Sequence, residues 1–207
     1  MSTFHFNPEI FPSGYLGVDI FFIISGYVIT SSLIKRDNKD FNNFIISFFE
    51  RRIKRLLPGL IFFTIVISFL SCFFIPLNQN FLGYASRSLL GISNLSFYKN
   101  SLDYFATSTK LNPFAHTWSL AVEAQFYFIF PFLIWFTGYG REKKKGKYFA
   151  FLMLLISISS LVSYLFLFPN NQSAAYYLTQ NRFWEFLSGS LLFTFLNNKT
   201  FKNTKTF

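Results

Sequence analysis

The residues LLPGLIFFTIVISFLSCFFIP, positions 56–76, hold no charged side chain. Crossing the hydrocarbon core of a bilayer takes about 20 predominantly apolar residues in a helix, so this stretch alone predicts a membrane span. Working outward from it, four more stretches of similar character lie at about 15–34, 117–138, 148–168 and 183–197, the last of them the shortest. The composition agrees: 52% of the 207 residues are hydrophobic, 33 are Phe and only 14% are charged, far from the balance of a soluble domain of this length. The expectation is an all-α, polytopic helical membrane protein with about five transmembrane helices, no internal repeat and no soluble domain.

The net charge of +10 would direct attention to nucleic acid if the basic residues formed one face of a soluble module. They form short runs between the apolar stretches instead, which excludes nucleic acid as a partner and implies membrane lipid. If the five spans alternate, residues 35–55, 141–147 and 199–205 share one side and hold 7, 5 and 3 of the 19 Lys and Arg residues, leaving 4 elsewhere. Basic loops stay in the cytoplasm. That side is therefore cytoplasmic, the segments 77–116 and 169–181 face outward, and the N-terminus lies outside too, an arrangement that calls for a further helix ahead of it.

With one cysteine, Cys72, and two histidines, His5 and His116, far apart in the chain, neither a disulfide framework nor a zinc-ligand set is expected, and no metal. Cys72 sits in an apolar run and reads as a packing residue.

Ionisable groups inside apolar stretches are costly unless they face other helices or a cavity, so the few present mark positions of interest. In the first span Asp19, Phe22, Gly26 and Thr30 recur on one helical face, setting a carboxylate, a gap and a hydroxyl in line. Asp19 either caps the helix end, where the dipole favours negative charge, or belongs to a site. The third span opens with His116, Trp118, Ser119, Glu123 and Tyr127, and helical rotation places His116, Ser119, Glu123 and Tyr127 within roughly an 80° arc. Such a stripe faces a cavity or partner helices rather than lipid. At the start of the last span Arg182 and Glu185 flank Trp184 and suit a local ion pair. Ahead of the second span, Glu50-Arg51-Arg52-Ile53-Lys54-Arg55 reads either as an anchor on anionic lipid or as guanidinium forks for the phosphates of a nucleotide-like cofactor such as coenzyme A.

Taken in order, these residues resemble the acyltransferase-3 family of membrane O-acyltransferases, in particular its O-antigen and peptidoglycan acetylase-like branch. The resemblance is carried by PSGYLGVDIFFIISGY at 12–27, by Arg51-Arg52 through Pro58, by NPFAHTWSLAVE at 112–123 and by RFWEFL at 182–187. It implies transfer of an acyl group, typically acetyl, from cytoplasmic acyl-CoA (acetyl-CoA) to a hydroxyl of an envelope carbohydrate, lipopolysaccharide or another polysaccharide, in a bacterial inner (cytoplasmic) membrane. In such proteins a first helix ends in a histidine about 14 residues before the aspartate of the Gly-Val-Asp motif, a position that His5 matches. The resemblance thus implies a helix before His5 and further spans after the last, so that residues 1–207 read as a partial membrane acyltransferase domain. It also implies that His5 is the general base, with Glu123 and Asp19 orienting it or stabilising its charged form. Arg51, Arg52 and Arg55 would meet the donor phosphates, and His116, Trp118, Ser119, Tyr127, Arg182 and Glu185 complete the substrate-binding set. Where the family pattern usually has a second glutamate, this chain has Ala124. Two rival readings stand beside this one: a transporter or flippase fragment whose polar stripe lines a solute path, and an inactive remnant of the acyltransferase.

The charge asymmetry generates a test of orientation. With Cys72 replaced, a cysteine at Lys144 should be shielded from an impermeant thiol reagent in intact cells, whereas one at Asn100 should react. The reverse labelling pattern would invert the topology.

Overall fold

The computed structural model describes residues 16–34, 40–74, 79–102, 112–139 and 146–203. The elements are α1 (Leu16–Ile34), α2 (Phe41–Phe74), α3 (Gln79–Leu89), α4 (Ser93–Leu102), α5 (Thr117–Thr137), α6 (Gly146–Asn170), α7 (Gln172–Tyr177), a 3-10 turn (Thr179–Asn181) and α8 (Phe183–Asn203). No strand occurs among the described residues. Four helices, α1, α2, α5 and α6, are long and apolar enough to cross a membrane. The fifth expected span corresponds to α8, which is a helix of 21 residues but is not among those four; its last turns carry Asn197, Asn198 and Lys199.

Two boundaries differ from the sequence reading. The second span begins at Phe41 rather than near residue 56, giving a single helix of 34 residues with Pro58 inside it. Asn42, Asn43 and the charges at 50–55 hide its first half from a count of apolar residues. The signal that decides it is Phe44 and Phe48, four apart and both buried. The outward segment 77–116, expected as a loop, contains α3 and α4. Cys72 is exposed on α2, its thiol directed to the Ser68 carbonyl at 3.2 Å, so its reading as a packing residue is corrected. It belongs to the apolar outer surface of α2, where Phe62, Ile65, Phe69 and Phe73 are each more than 60% exposed. A side chain can stay on such a surface in a bilayer because lipid tails solvate it.

Helix directions follow from the ring contacts. Asp19 meets Arg182, Phe22 meets Phe186 and Thr30 meets Ser190, so α1 and α8 run parallel. Phe22 against Trp118 and Ser25 against Glu123 make α5 parallel to them. Phe41 against Trp135, Phe48 against Tyr127 and Phe63 against Phe114 set α2 antiparallel to α5. This is the alternation expected of spans that cross in turn, and it brings the flanks of the two Lys/Arg-rich connections to one end of the bundle. Gly138 closes α5 with φ 67° and donates its N–H to the Trp135 carbonyl, a left-handed cap that glycine adopts without strain.

The tightest contact in the bundle is the seam between α1 and α8. A Cβ at Gly26 would overlap the Phe186 carbonyl, and one at Gly189 would overlap the Ile23 carbonyl, so each glycine admits the other helix's backbone. Small residues at helix interfaces allow this approach inside membranes, where van der Waals packing rather than hydrophobic burial drives association. The Thr30 hydroxyl donates to the Gly26 carbonyl at 2.7 Å and is paired with the Ser190 hydroxyl at 2.8 Å. The gap and the hydroxyl predicted on the first span therefore serve packing. Above the seam, Phe22 stacks on Phe186 with centroids 4.4 Å apart, and Phe186 stacks on Phe126 of α5 at 4.3 Å.

Because backbone stands on the far side of each glycine, even alanine cannot be accommodated without separating the helices. Gly26→Ala and Gly189→Ala should each destabilise the protein by about 1–3 kcal/mol, seen as earlier loss of monodisperse protein on heating in detergent, whereas Gly17→Ala, which meets nothing within 4 Å, should not.

Candidate functional site

Two polar centres involve side chains of α1. The first lies where Ser25 faces α5. The Ser25 hydroxyl donates to Glu123 Oε1 at 2.7 Å, and the Tyr127 phenol, one helical turn on from Glu123, donates to the same oxygen. Glu123 is 3% exposed, and its Oε2 has no hydrogen-bond partner among the described residues. Burial of a carboxylate oxygen without a donor is expensive. It is tolerable beside a cavity into which a ligand or water can bring one. Such a cavity, about 280 Å³, is lined by Ser25, Glu123, Tyr127, Arg52 and Arg55 together with apolar side chains of α1, α2 and α5.

Arg52 reaches this centre because α2 starts early. Eleven residues of helix, about 16 Å, precede it, so its guanidinium carbon lies 4.7 Å from the centroid of the Tyr127 ring and 5.7 Å from that of Phe48. Tyr127 is midway along α5. The basic cluster therefore extends into the depth of the bundle instead of ending at its edge, with aromatic faces offsetting the lost hydration of the cation. Arg52 and Arg55, three apart, share the helix face that also lines a larger groove of about 450 Å³ running between α2 and α5 as far as His116. Arg51 is half-buried about 100° round the helix and is not among the lining residues of either space. Glu50 and Lys54 pair with each other on the exposed side at 2.5 Å.

The four-residue stripe expected on α5 thus divides. Glu123 and Tyr127 meet at the first centre, while His116 is exposed in the turn before the helix and Ser119 donates to the His116 carbonyl at 3.2 Å. Rotation put all four on one face. Depth separates them, since His116 precedes Glu123 by about two turns of helix.

The second centre is built on Arg182, in the turn just before α8. Its Nη1 donates to Glu185 Oε1 at 2.6 Å and to Asp19 Oδ1 at 3.0 Å, and its Nε donates to the Tyr176 carbonyl at 3.2 Å. The Arg182 side chain is 5% exposed, Glu185 0% and Asp19 25%. The Arg182 to Glu185 pair read from the sequence is present, and Asp19, for which capping was the alternative, joins it from α1. The guanidinium also lies against the rings of Tyr176, Tyr164 and Trp118, with its carbon 4.9, 5.5 and 6.0 Å from their centroids. Tyr176, in the short α7 outside the spans, has its phenol pushed up to about 12 chiefly by burial, so it remains a neutral hydroxyl at physiological pH. Trp118 is buried between the centres, edge-on to Phe22 and 4.5 Å from Tyr176.

Sequence reasoning did not single out Ser25, Tyr164 or Tyr176. Ser25 adjoins Gly26, and that pair of small residues was the available signal; the tyrosines carry none until α7 folds under α6. His5 lies outside the described residues. Among those that are described, no group of three metal-binding side chains occurs.

Residues 1–207 match the family model described as acyltransferase domain. The O-acetyltransferase OatA of Staphylococcus aureus is 33% identical to the chain over 190 residues, which cover 91% of the chain and 31% of that protein. The peptidoglycan O-acetyltransferase OatA of Listeria monocytogenes is 33% identical over 196 residues, 92% of the chain and 31% of its own length. The chain therefore spans about 31% of the length of these relatives. No solved structure matches it.

Removing the cation from the second centre leaves two carboxylates with no counter-charge. Arg182→Met should therefore cost about 3–5 kcal/mol of stability, measured by thermal unfolding in detergent. Combining it with Glu185→Leu should recover part of that loss, as expected when the penalty comes from the stranded charge.

Proposed function

The chain belongs to the acyltransferase domain family, and from that premise we propose that it transfers an acyl group, acetyl in particular, from cytoplasmic acyl-CoA to a hydroxyl of a cell-envelope carbohydrate across a bacterial inner membrane. The observation that carries this reading is that two guanidinium groups, Arg52 and Arg55, line both the groove between α2 and α5 and the adjoining cavity lined by Glu123, whose second oxygen is open. The arginines suit the phosphates of the donor, for which a planar cationic fork is well matched. The mostly apolar groove that continues from them to His116 suits the slender arm carrying the thioester. It points the reacting end away from the basic loops and toward the side where an envelope acceptor is found.

In the reaction proposed, the acceptor hydroxyl oxygen attacks the thioester carbonyl carbon, a C–O bond forms, and the C–S bond breaks. A base takes the hydroxyl proton and passes it to the departing sulfur, so that coenzyme A leaves as the thiol. His5 is proposed as that base, because imidazole titrates near neutral pH. Glu123, held on one oxygen by Ser25 and Tyr127, keeps its other oxygen available to orient a donor group or support a charged imidazole. The named relatives include a peptidoglycan O-acetyltransferase, which favours a peptidoglycan-type glycan over lipopolysaccharide as the acceptor. Family membership also weighs against the solute-path reading, which rested on the polar stripe alone.

Arg52→Ala with Arg55→Ala should weaken acetyl-CoA binding at least about tenfold with membrane insertion intact, read by equilibrium binding of labelled acetyl-CoA to purified protein. Lysine at both positions is the control, and full rescue by lysine would replace bidentate recognition with simple charge. His5→Ala and Glu123→Gln should lower transfer to the glycan while retaining donor binding. Undiminished turnover in His5→Ala would remove His5 from the mechanism and leave Glu123 as the base.

A further inference from the structure

Outside the donor groove, a cavity of about 600 Å³ lies at the opposite end of the bundle from the Lys/Arg-rich connections. It is bounded by Asp19 at the start of α1, Tyr164 near the end of α6, Gln172, Ser173 and Tyr176 on α7, and Arg182. We propose that this cavity is the acceptor subsite and that it takes a neutral, hydroxyl-rich sugar ring, with Tyr176 and Tyr164 as its aromatic walls. The assignment rests on the acyltransferase reading and supplies the part of it that the donor groove leaves open.

Three observations carry it. The first is charge. Arg182 is already matched by Asp19 and Glu185 at 3.0 and 2.6 Å, so the cavity offers charged hydrogen-bonding groups without net positive charge and is unsuited to phosphate. The donor groove has the opposite character, with Arg52 and Arg55 on its wall. The second is the mixture of surfaces. Flat tyrosine faces beside carboxylate, amide and hydroxyl groups complement a molecule with an apolar C–H face and a rim of hydroxyls, and a volume of this size is in the ordinary range for small-molecule sites. Tyr176, kept protonated by burial, can donate to a sugar hydroxyl. The third is position. Asp19 in this cavity and Ser25 in the Glu123 chamber are six residues apart on one helix, about 9 Å, with Phe22 and Trp118 packed edge-on between them. An acceptor entering from outside and a donor entering from the basic side would meet across that short aromatic partition.

The test is titration calorimetry of the detergent-purified chain with two probes, chitotriose for the acceptor and acetyl-CoA for the donor. Tyr176→Ala should weaken chitotriose binding at least tenfold and Tyr176→Phe less than threefold, with acetyl-CoA affinity unchanged in both. Gln172→Trp, at an exposed rim position, should block chitotriose without burdening the fold and serves if Tyr176→Ala is poorly folded. Arg52→Ala with Arg55→Ala should give the mirror pattern. Undiminished chitotriose affinity in Gln172→Trp and Tyr176→Ala, or no chitotriose binding by the unaltered chain, would overturn the subsite even if acetyl-CoA binds. Chitotriose binding that these variants abolish, in a chain that does not bind acetyl-CoA, would uphold the subsite and count against the donor reading instead.

Discussion

The fold hangs on a contact that contains no side chain. Gly26 of α1 and Gly189 of α8 let two helix backbones touch, and because the Phe186 carbonyl occupies the space where a Cβ on Gly26 would be and the Ile23 carbonyl the space where one on Gly189 would be, the two helices have essentially one rotation and one register in which they can meet. The polar contacts of α1 follow from that register. Ser25 is one residue from Gly26, about 100° round the helix, so when Gly26 faces α8, Ser25 is aimed at Glu123 of α5. Two turns earlier, the same rotation brings Asp19 to Arg182 at the head of α8. A membrane interior gives no hydrophobic reason for helices to choose one partner over another; close packing and a few hydrogen bonds make the choice.

Each of the two polar centres leaves one buried carboxylate oxygen without a partner among the described residues, and they differ in what surrounds it. At Arg182 the guanidinium has two carboxylates and a carbonyl within hydrogen-bonding distance, an arrangement that locks three elements together. At Glu123 both donors fall on one oxygen, and the other is left facing a cavity. A buried oxygen without a donor invites a ligand or a proton, and of the two such oxygens, Glu185 Oε2 and Glu123 Oε2, it is the one on Glu123 whose residue lines a cavity together with Arg52 and Arg55. Ala124 lines the neighbouring groove between α2 and α5, and its methyl group lies 3.4 Å from where a Cβ on Gly91 would be.

The spans were legible in the sequence because length and absence of charge are properties of consecutive residues. The local pair of Arg182 and Glu185 was legible for the same reason, as was the shared face of Glu123 and Tyr127. What failed to show was whatever depends on depth or on a distant partner. The first half of α2 was hidden because its buried stripe, Phe44 and Phe48, is diluted by asparagines and charges that face the other way. His116 and Ser119 shared the right face of α5 at the wrong height. Asp19 could be read as a cap or as a site residue until Arg182, 163 positions away, decided its partner, and Tyr176 had no mark at all before α7 turned it against that guanidinium.

The placement of the three tryptophans gives the molecule its own optical reporters. Trp118 stands edge-on to Phe22 and 4.5 Å from Tyr176, and Trp184 lies 6.3 Å from Tyr164, so both indoles back the tyrosine-walled cavity. Trp135 sits at the far end of α5 among Phe41 and Phe44. Emission from the first two therefore follows the polarity of one chamber while the third acts as an internal reference, and occupancy at that end of the bundle becomes visible as fluorescence without a label on either protein or ligand.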